Sequence, residues 1–199
     1  MAKQQKSLID SKSAKQVDEI MSKLSLAEKC SLLSGKDAWK TLDLPKKGVD
    51  SVIVTDGPHG VRADSSVENR KTGASTYFPT GVSMASTWNE SLIQRMGEAL
   101  GEETLYYGCD VLLGPCVNIV RGPLAGRNFE SMSEDPFLAG HIAASWINGI
   151  QSKGVGASLK HFACNNQETE RFRGSSVVDE RTLREIYLSQ FEYAVKNSQ

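Results

Sequence analysis

The stretch "DPFLAGHIAASWINGIQSKGVGASLKHF" (residues 135–162) places a helix and a strand back to back, and that order decides the fold. Pro136 suits a first helical turn, where a missing N–H costs nothing, and Gly154 stands where the helix must stop. Ile142, Trp146 and Ile150 recur at helical spacing, which reads as a buried face rather than a binding surface. "VGASLKHF" (155–162) then reads as a strand whose tip carries Lys160 and His161 side by side.

The same alternation extends in both directions. "SVIVT" (51–55) is a β-branched run expected to be a buried strand, and "GVSMAS" (81–86) is expected to be a weaker one. "NESLIQRMGEALGEETLYYG" (89–108) predicts a helix with Asn89 as N-cap, Gly108 as stop, and Trp88 before it as a hydrophobic staple. "CDVLLG" (109–114) predicts a strand, and "DERTLREIYLSQFEYAVKNSQ" (179–199) a helix. Two short helices are expected near the N-terminus. The second is opened by the capping box Ser25/Glu28 and stops by Gly35, and "AWKTLDLPKKGVD" (38–50) follows as a loop. Strands alternating with helices in this order mean a parallel sheet of βα units.

Segments 56–79, 115–134 and 163–178 each follow the C-terminal end of a predicted strand, where α/β folds build their sites. In "VTDGPHGVR" (54–62), Asp56 is held by a Gly57-Pro58 turn and reads either as a turn cap or as a fixed binding carboxylate. In "GPCVNIVRGPLAGRNFESMSEDP" (114–136), Arg121 and Arg127 need partners if the loop is to be ordered. Glu130 is expected to pair with one of them, and Glu134 and Asp135 to face the next helix's N-terminus. Lys160 and His161, adjacent in a strand, would point to opposite faces. They share a pocket only if the backbone is unusual there or the pocket wraps around the tip. Otherwise Lys160 pairs with a carboxylate and His161 with a carbonyl.

A carboxylate, guanidiniums, an ammonium and an imidazole suit a sugar. Asp accepts from vicinal hydroxyls while Arg, Lys and His donate to their oxygens, each charged hydrogen bond being worth about 1.5–3 kcal/mol. Phosphate chemistry is excluded by the lack of a P-loop or of a GxGxxG opening a helix. The 199 residues carry a net charge of −1 without a basic stripe, so no nucleic-acid partner is expected. No apolar run reaches the ~18 residues that span a bilayer, so no membrane partner is expected either. The N-terminus has no apolar signal core, and the four cysteines have no CxxC spacing; Cys109 and Cys116 read as buried thiols and the protein as cytoplasmic. Three histidines, none at i, i+4, argue against a metal site.

"VTDGPHGVR", "GRNFESMSEDP", "KHFACNNQETER" and "DERTLREIYLSQFEYAVK", in this order, resemble the N-terminal domain of glycoside hydrolase family 3, of the β-glucosidase type. The resemblance implies an α/β fold, a partial (β/α)8 TIM barrel-like domain covering about the first half of the barrel. Residues 1–14 are expected to be a disordered tail and residues 15–199 the N-terminal part of that barrel domain. It further implies that Asp56, Arg62, Arg127, Lys160 and His161 bind the non-reducing-end sugar, the family's backbone strain at Lys160-His161 letting both serve one pocket. The β-N-acetylglucosaminidase branch carries Pro-Gly-His-Gly after the Lys-His pair; Ala163, Cys164, Asn165 and Asn166 here favour the glucosidase branch.

Retaining glycosidases need two carboxyl groups about 5–5.5 Å apart. By the resemblance the nucleophile, in a Ser-Asp-Trp type motif, and the acid/base both lie beyond this chain, so no catalytic residue is assigned, and no metal or cofactor is expected. The chain is thus expected to be the sugar-binding part of a retaining β-glucosidase, a fragment inactive alone. Its partners would be a β-glucoside or glucose, and the missing C-terminal half or a second copy on its exposed sheet edges. The alternatives are a non-catalytic sugar-binding or assembly subunit of a split glycosidase, and an unrelated α/β protein.

Overall fold

The structure is a computed structural model and describes residues 11–62 and 73–198. The chain divides into two compact units, Met1–Ile53 and Val54–Gln199.

In the first unit, helix α1 (Ser11–Ser22) already starts at Ser11, so residues 11–14 are helical; residues 1–10 of the expected tail lie outside the described residues. Helix α2 (Leu26–Ser31) opens with the expected box. Glu28 N donates to Ser25 Oγ at 3.2 Å and Ser25 N donates to Glu28 Oε2 at 2.7 Å, closing two otherwise orphaned amides. The helix ends at Leu32, before Gly35. The segment expected to be a loop is more ordered than that. A 3₁₀ turn (Pro45–Lys47) lies among antiparallel bridges that join Gly35 to Thr41, Lys40 to Ile53 and Leu44 to Val49.

The second unit is the βα assembly. Strands β1 (Val54–Thr55), β2 (Val111–Leu112) and β3 (Gly156–Ala157) pair in parallel in the order β1-β2-β3. Val54 is in register with Val111 and Val111 with Gly156. The expected strand at 81–86 is instead helix α3 (Gly81–Ala85). Ser83 N donates to Thr80 Oγ1, which caps the helix, and the buried residues Gly81, Met84 and Ala85 follow helical rather than alternating spacing. Three strands therefore stand among the described residues where the sequence predicted four.

Helices α4 (Glu90–Tyr106) and α5 (Pro136–Gln151) back this sheet. Leu92 N donates to Asn89 Oδ1 at the start of α4, and Phe137 N and Leu138 N donate to the Asp135 carboxylate at the start of α5. Ile93, Leu100, Ile142, Trp146 and Ile150 are all buried, at about 1.5–3 kcal/mol each for the large aliphatics. Trp88 is 73% exposed, so the expected staple is not made. The C-terminal helix is interrupted: α6 (Glu180–Thr182), capped by Asp179, runs into a π-helical turn (Leu183–Tyr187) and then α7 (Ser189–Asn197). Among the described residues no helix is long and apolar enough to cross a membrane.

β3 is an edge strand of this open parallel sheet. A groove of about 630 Å³ beside it is lined by Leu159, Phe162, Leu188, Phe191 and Val195, with Phe162 78% exposed. An exposed edge with an apolar groove beside it is a ready place for a further element to pair and pack.

Helices α4 and α5 touch backbone to backbone. A Cβ on Gly149 would lie 2.1 Å from Gln94 O and 2.9 Å from Glu98 N, neither of which can swing away. Gly149→Ala should therefore cost about 1–3 kcal/mol of overpacking, read as a lower urea midpoint at unchanged m-value.

Candidate functional site

The chain beyond β2 runs as a spine between the other two polar loops. Cys116 bridges in parallel to Ser131 on one side and to Lys160 on the other. Lys160 N donates to Pro115 O at 2.9 Å and Val117 N donates to Lys160 O at 2.8 Å, which fixes the tip of β3 against this spine. At the tip of β1, Arg62 N donates to Asp56 O at 2.8 Å and Gly57 N to Asp56 Oδ1 at 2.9 Å. Only glycine fits at 57, where a Cβ would sit 1.5 Å from Gly60 O. The peptides Gly114–Pro115, Lys160–His161 and Phe162–Ala163 are cis.

These tips converge on one ionic network. Lys160 Nζ donates to Asp56 Oδ1 at 2.7 Å and lies 3.6 Å from Glu130 Oε2. Arg127 Nε donates to Glu130 Oε1, its Nη1 lies 3.4 Å from Glu168 Oε1, and its Nη2 is 2.7 Å from His161 Nε2. Glu168 also accepts from Asn165 Nδ2 at 2.8 Å and from Arg171 Nη1 at 2.9 Å. The Glu130 side chain is only 4% exposed, and the two cations beside it replace the lost water.

Beneath the network, Asn118 grips His161. His161 N donates to Asn118 Oδ1 at 2.9 Å, Asn118 Nδ2 donates to His161 O at 2.9 Å, and His161 Nδ1 lies 3.0 Å from the same Oδ1. Burial, reinforced by the charges of Arg127 and Lys160, pushes the imidazole down to about 4, so it is neutral near pH 7. Burial works against the Asp56 carboxylate, but the hydrogen bond and charge of Lys160, the Gly57 N–H and the charge of Arg62 outweigh it and hold its pKa below the usual value. Burial likewise opposes the charge of Arg127, and Glu130 and Glu168 more than restore it. Burial raises the Cys116 thiol, which sits 3.6 Å from His161 Nδ1.

Four of the five residues singled out from the sequence thus join one continuous set of contacts: Asp56, Lys160, Arg127 and His161. The fifth, Arg62, is exposed and joins through its backbone bond to Asp56 and its charge. His161 differs from expectation in one respect. Arg127 has only protons to offer, so Nε2 accepts, where the sequence cast the imidazole as a donor. Arg121, the other loop arginine, goes elsewhere and donates to Tyr187 Oη at 3.0 Å. Sequence reasoning missed the roles of Asn118 and Glu168. The signal for Asn118 was a lone amide inside the apolar run "CVNIV", since a polar group buried there must find partners.

The model of the glycosyl hydrolase family 3 N terminal domain matches residues 40–199. The chain belongs to this family. It is 47% identical over 186 residues to thermostable β-glucosidase B of Acetivibrio thermocellus, covering 92% of this chain and 25% of that protein. It is 49% identical over 181 residues to an exo-α-(1→6)-L-arabinopyranosidase of Bifidobacterium longum, covering 88% and 24%. The solved structure of β-glucosidase 3B from Thermotoga neapolitana in complex with glucose matches with a TM-score of 0.85 at 47% identity, over 92% of this chain and 28% of that one. The chain spans about a quarter of the length of these curated family members. This membership and the parallel βα order together make the second unit a partial (β/α)8 barrel.

Glu130→Gln leaves Arg127 and Lys160 facing each other across a buried neutral amide. It should cost about 3 kcal/mol or more in urea unfolding. The ring ¹⁵N signals of His161 should titrate with a midpoint near 4. Between that value and the ordinary 6.5, the unfolded chain binds the extra proton. The His161 contribution to stability is therefore complete above about 6.5 and is lost as pH falls toward 4.

Proposed function

We propose that the strand-tip network is the subsite for the non-reducing-end sugar of a retaining β-glucosidase, which releases terminal β-D-glucosyl residues. Asp56, Arg62, Arg127, Lys160 and His161 would line it. The observation that carries this reading is the 2.7 Å contact between Asp56 and Lys160, residues 104 positions apart in the chain. Two such groups at one rim offer an acceptor and a three-proton donor to neighbouring hydroxyls. Among the described residues both bonds to the Asp56 carboxylate fall on Oδ1, and we assign Oδ2 as the acceptor for a sugar hydroxyl. The β-glucosidase relatives and the glucose-bound neighbour support glucose; the arabinopyranosidase relative supports the wider class of terminal pyranoses.

In this reading the chain binds and orients the ring, and chemistry at the anomeric carbon falls to a nucleophile and an acid/base outside residues 1–199. Asp56, tied to an ammonium, holds a hydroxyl rather than attacking carbon. The mechanism would be double displacement through an oxocarbenium-like transition state. The remainder of the enzyme would supply the missing strands, the first beside β3 with its side chains in the apolar groove; self-association over the same edge is the competing occupant. The four free thiols fit a reducing, cytoplasmic setting.

Glucose titrated into the ¹⁵N-labelled chain should shift amides around Asp56, Lys160 and His161, with a dissociation constant of about millimolar order. Asp56→Asn and Lys160→Met each remove a charged hydrogen bond and should weaken binding about tenfold or more. An aryl β-glucoside should not be turned over by the chain alone. Glucose leaving those amides unmoved, or binding unchanged in both variants, overturns the assignment.

A further inference from the structure

We infer that Asn118 is a positioning residue: its carboxamide fixes the tautomer of His161, so that Nε2 meets the sugar site as an acceptor only. The claim rests on the sugar-site reading for its function but not for its geometry. Asn118 is 3% exposed, in the spine between the loops, and its carboxamide has one workable orientation. Its Nδ2 donates to His161 O at 2.9 Å, and its Oδ1 accepts from His161 N at 2.9 Å. Turned over, the amide would set N–H against N–H and oxygen against oxygen at the same two contacts.

With Oδ1 thus placed 3.0 Å from His161 Nδ1, that nitrogen must carry the ring proton. Nε2 is then bare, which the Arg127 Nη2 at 2.7 Å also requires. Two independent partners therefore demand the same tautomer. A neutral ring down to about pH 4 keeps this arrangement intact across the physiological range. The spine is pinned from behind, because Gln190, 1% exposed, donates through Nε2 to Val117 O at 3.1 Å.

A hydroxyl that reaches Nε2 must accordingly donate its proton there, and Arg127, released from the ring, turns a proton toward a sugar oxygen. His161 and Asp56 then accept while Lys160 and Arg127 donate, which sorts hydroxyls by direction as well as position. A role for Asn118 as a mere tie between loops would leave Arg127 alone to set the ring tautomer.

The test is long-range ¹H–¹⁵N correlation of the histidine rings in the whole chain. With only three histidines, His161→Gln assigns the signal. The wild-type ring should show the Nδ1–H pattern. Asn118→Asp keeps the acceptor and should keep that pattern. In an Arg127→Met background, where the demand on Nε2 is gone and Asn118 alone holds the ring, Asn118→Leu should shift the pattern toward Nε2–H, and Asn118→Leu by itself should weaken glucose binding about tenfold, the loss expected of one hydrogen bond. An Nε2–H wild-type ring, or a pattern that Asn118→Leu leaves unchanged in the folded Arg127→Met background, overturns the inference. An Nε2–H ring in the wild-type spectrum overturns the inference even if the variants do not fold. An Nδ1–H ring set by Asn118 in a chain that ignores glucose would sink the sugar reading and leave the positioning role standing.

Discussion

A carboxylate that has lost nearly all its water needs partners to replace it, and Glu130, its side chain 4% exposed, has two cations beside it. Arg127 comes from its own loop and Lys160 from the tip of β3, so one buried anion binds two segments that are distant in sequence. The rest follows from those two cations. Lys160 reaches on to Asp56 and thereby brings in the loop after β1. Arg127 reaches on to His161 and Glu168, and so organises the loop after β3. Removing any member exposes its neighbours to an uncompensated charge, which makes the cluster cooperative.

In the proposed reading, the cluster also accounts for a sugar site that stands formed before any sugar arrives. Three carboxylates, Asp56, Glu130 and Glu168, are matched by three cations, Lys160, Arg127 and Arg171. Each side chain already has a partner that holds its direction. A sugar entering such a site exchanges some of these contacts for its own and immobilises little that was free, which limits the entropic cost of binding. Asn118 extends the same order to a neutral ring.

Much of this was legible in the chain itself. The alternation of "SVIVT", "CDVLLG" and "VGASLKHF" with capped helices carried the parallel sheet, because β-branched runs and caps are local signals. Residues 81–86 were misread because a short apolar run fits either period; the Thr80 cap and the burial of 81, 84 and 85 settle it as helix. The π-helical turn at Leu183–Tyr187 had no sequence signature, since it depends on how the helix packs. At the site, charge and position flagged Asp56, Arg127, Lys160 and His161. The direction of the His161 hydrogen bonds was not legible, because a tautomer is decided by partners in space, Asn118 and Arg127, that lie 43 and 34 positions away.

The contact of Gly149 with the backbone of α4 has a consequence for motion. Ordinary helix pairs slide on a layer of side chains that can change rotamer. Where main chain rests on main chain no such layer exists, and the two helices vibrate as one stiff plate. Sliding of α5 along α4 is thereby opposed, and a ligand at the strand tips of this unit has more to gain from the polar loops than from the pair of helices beneath them.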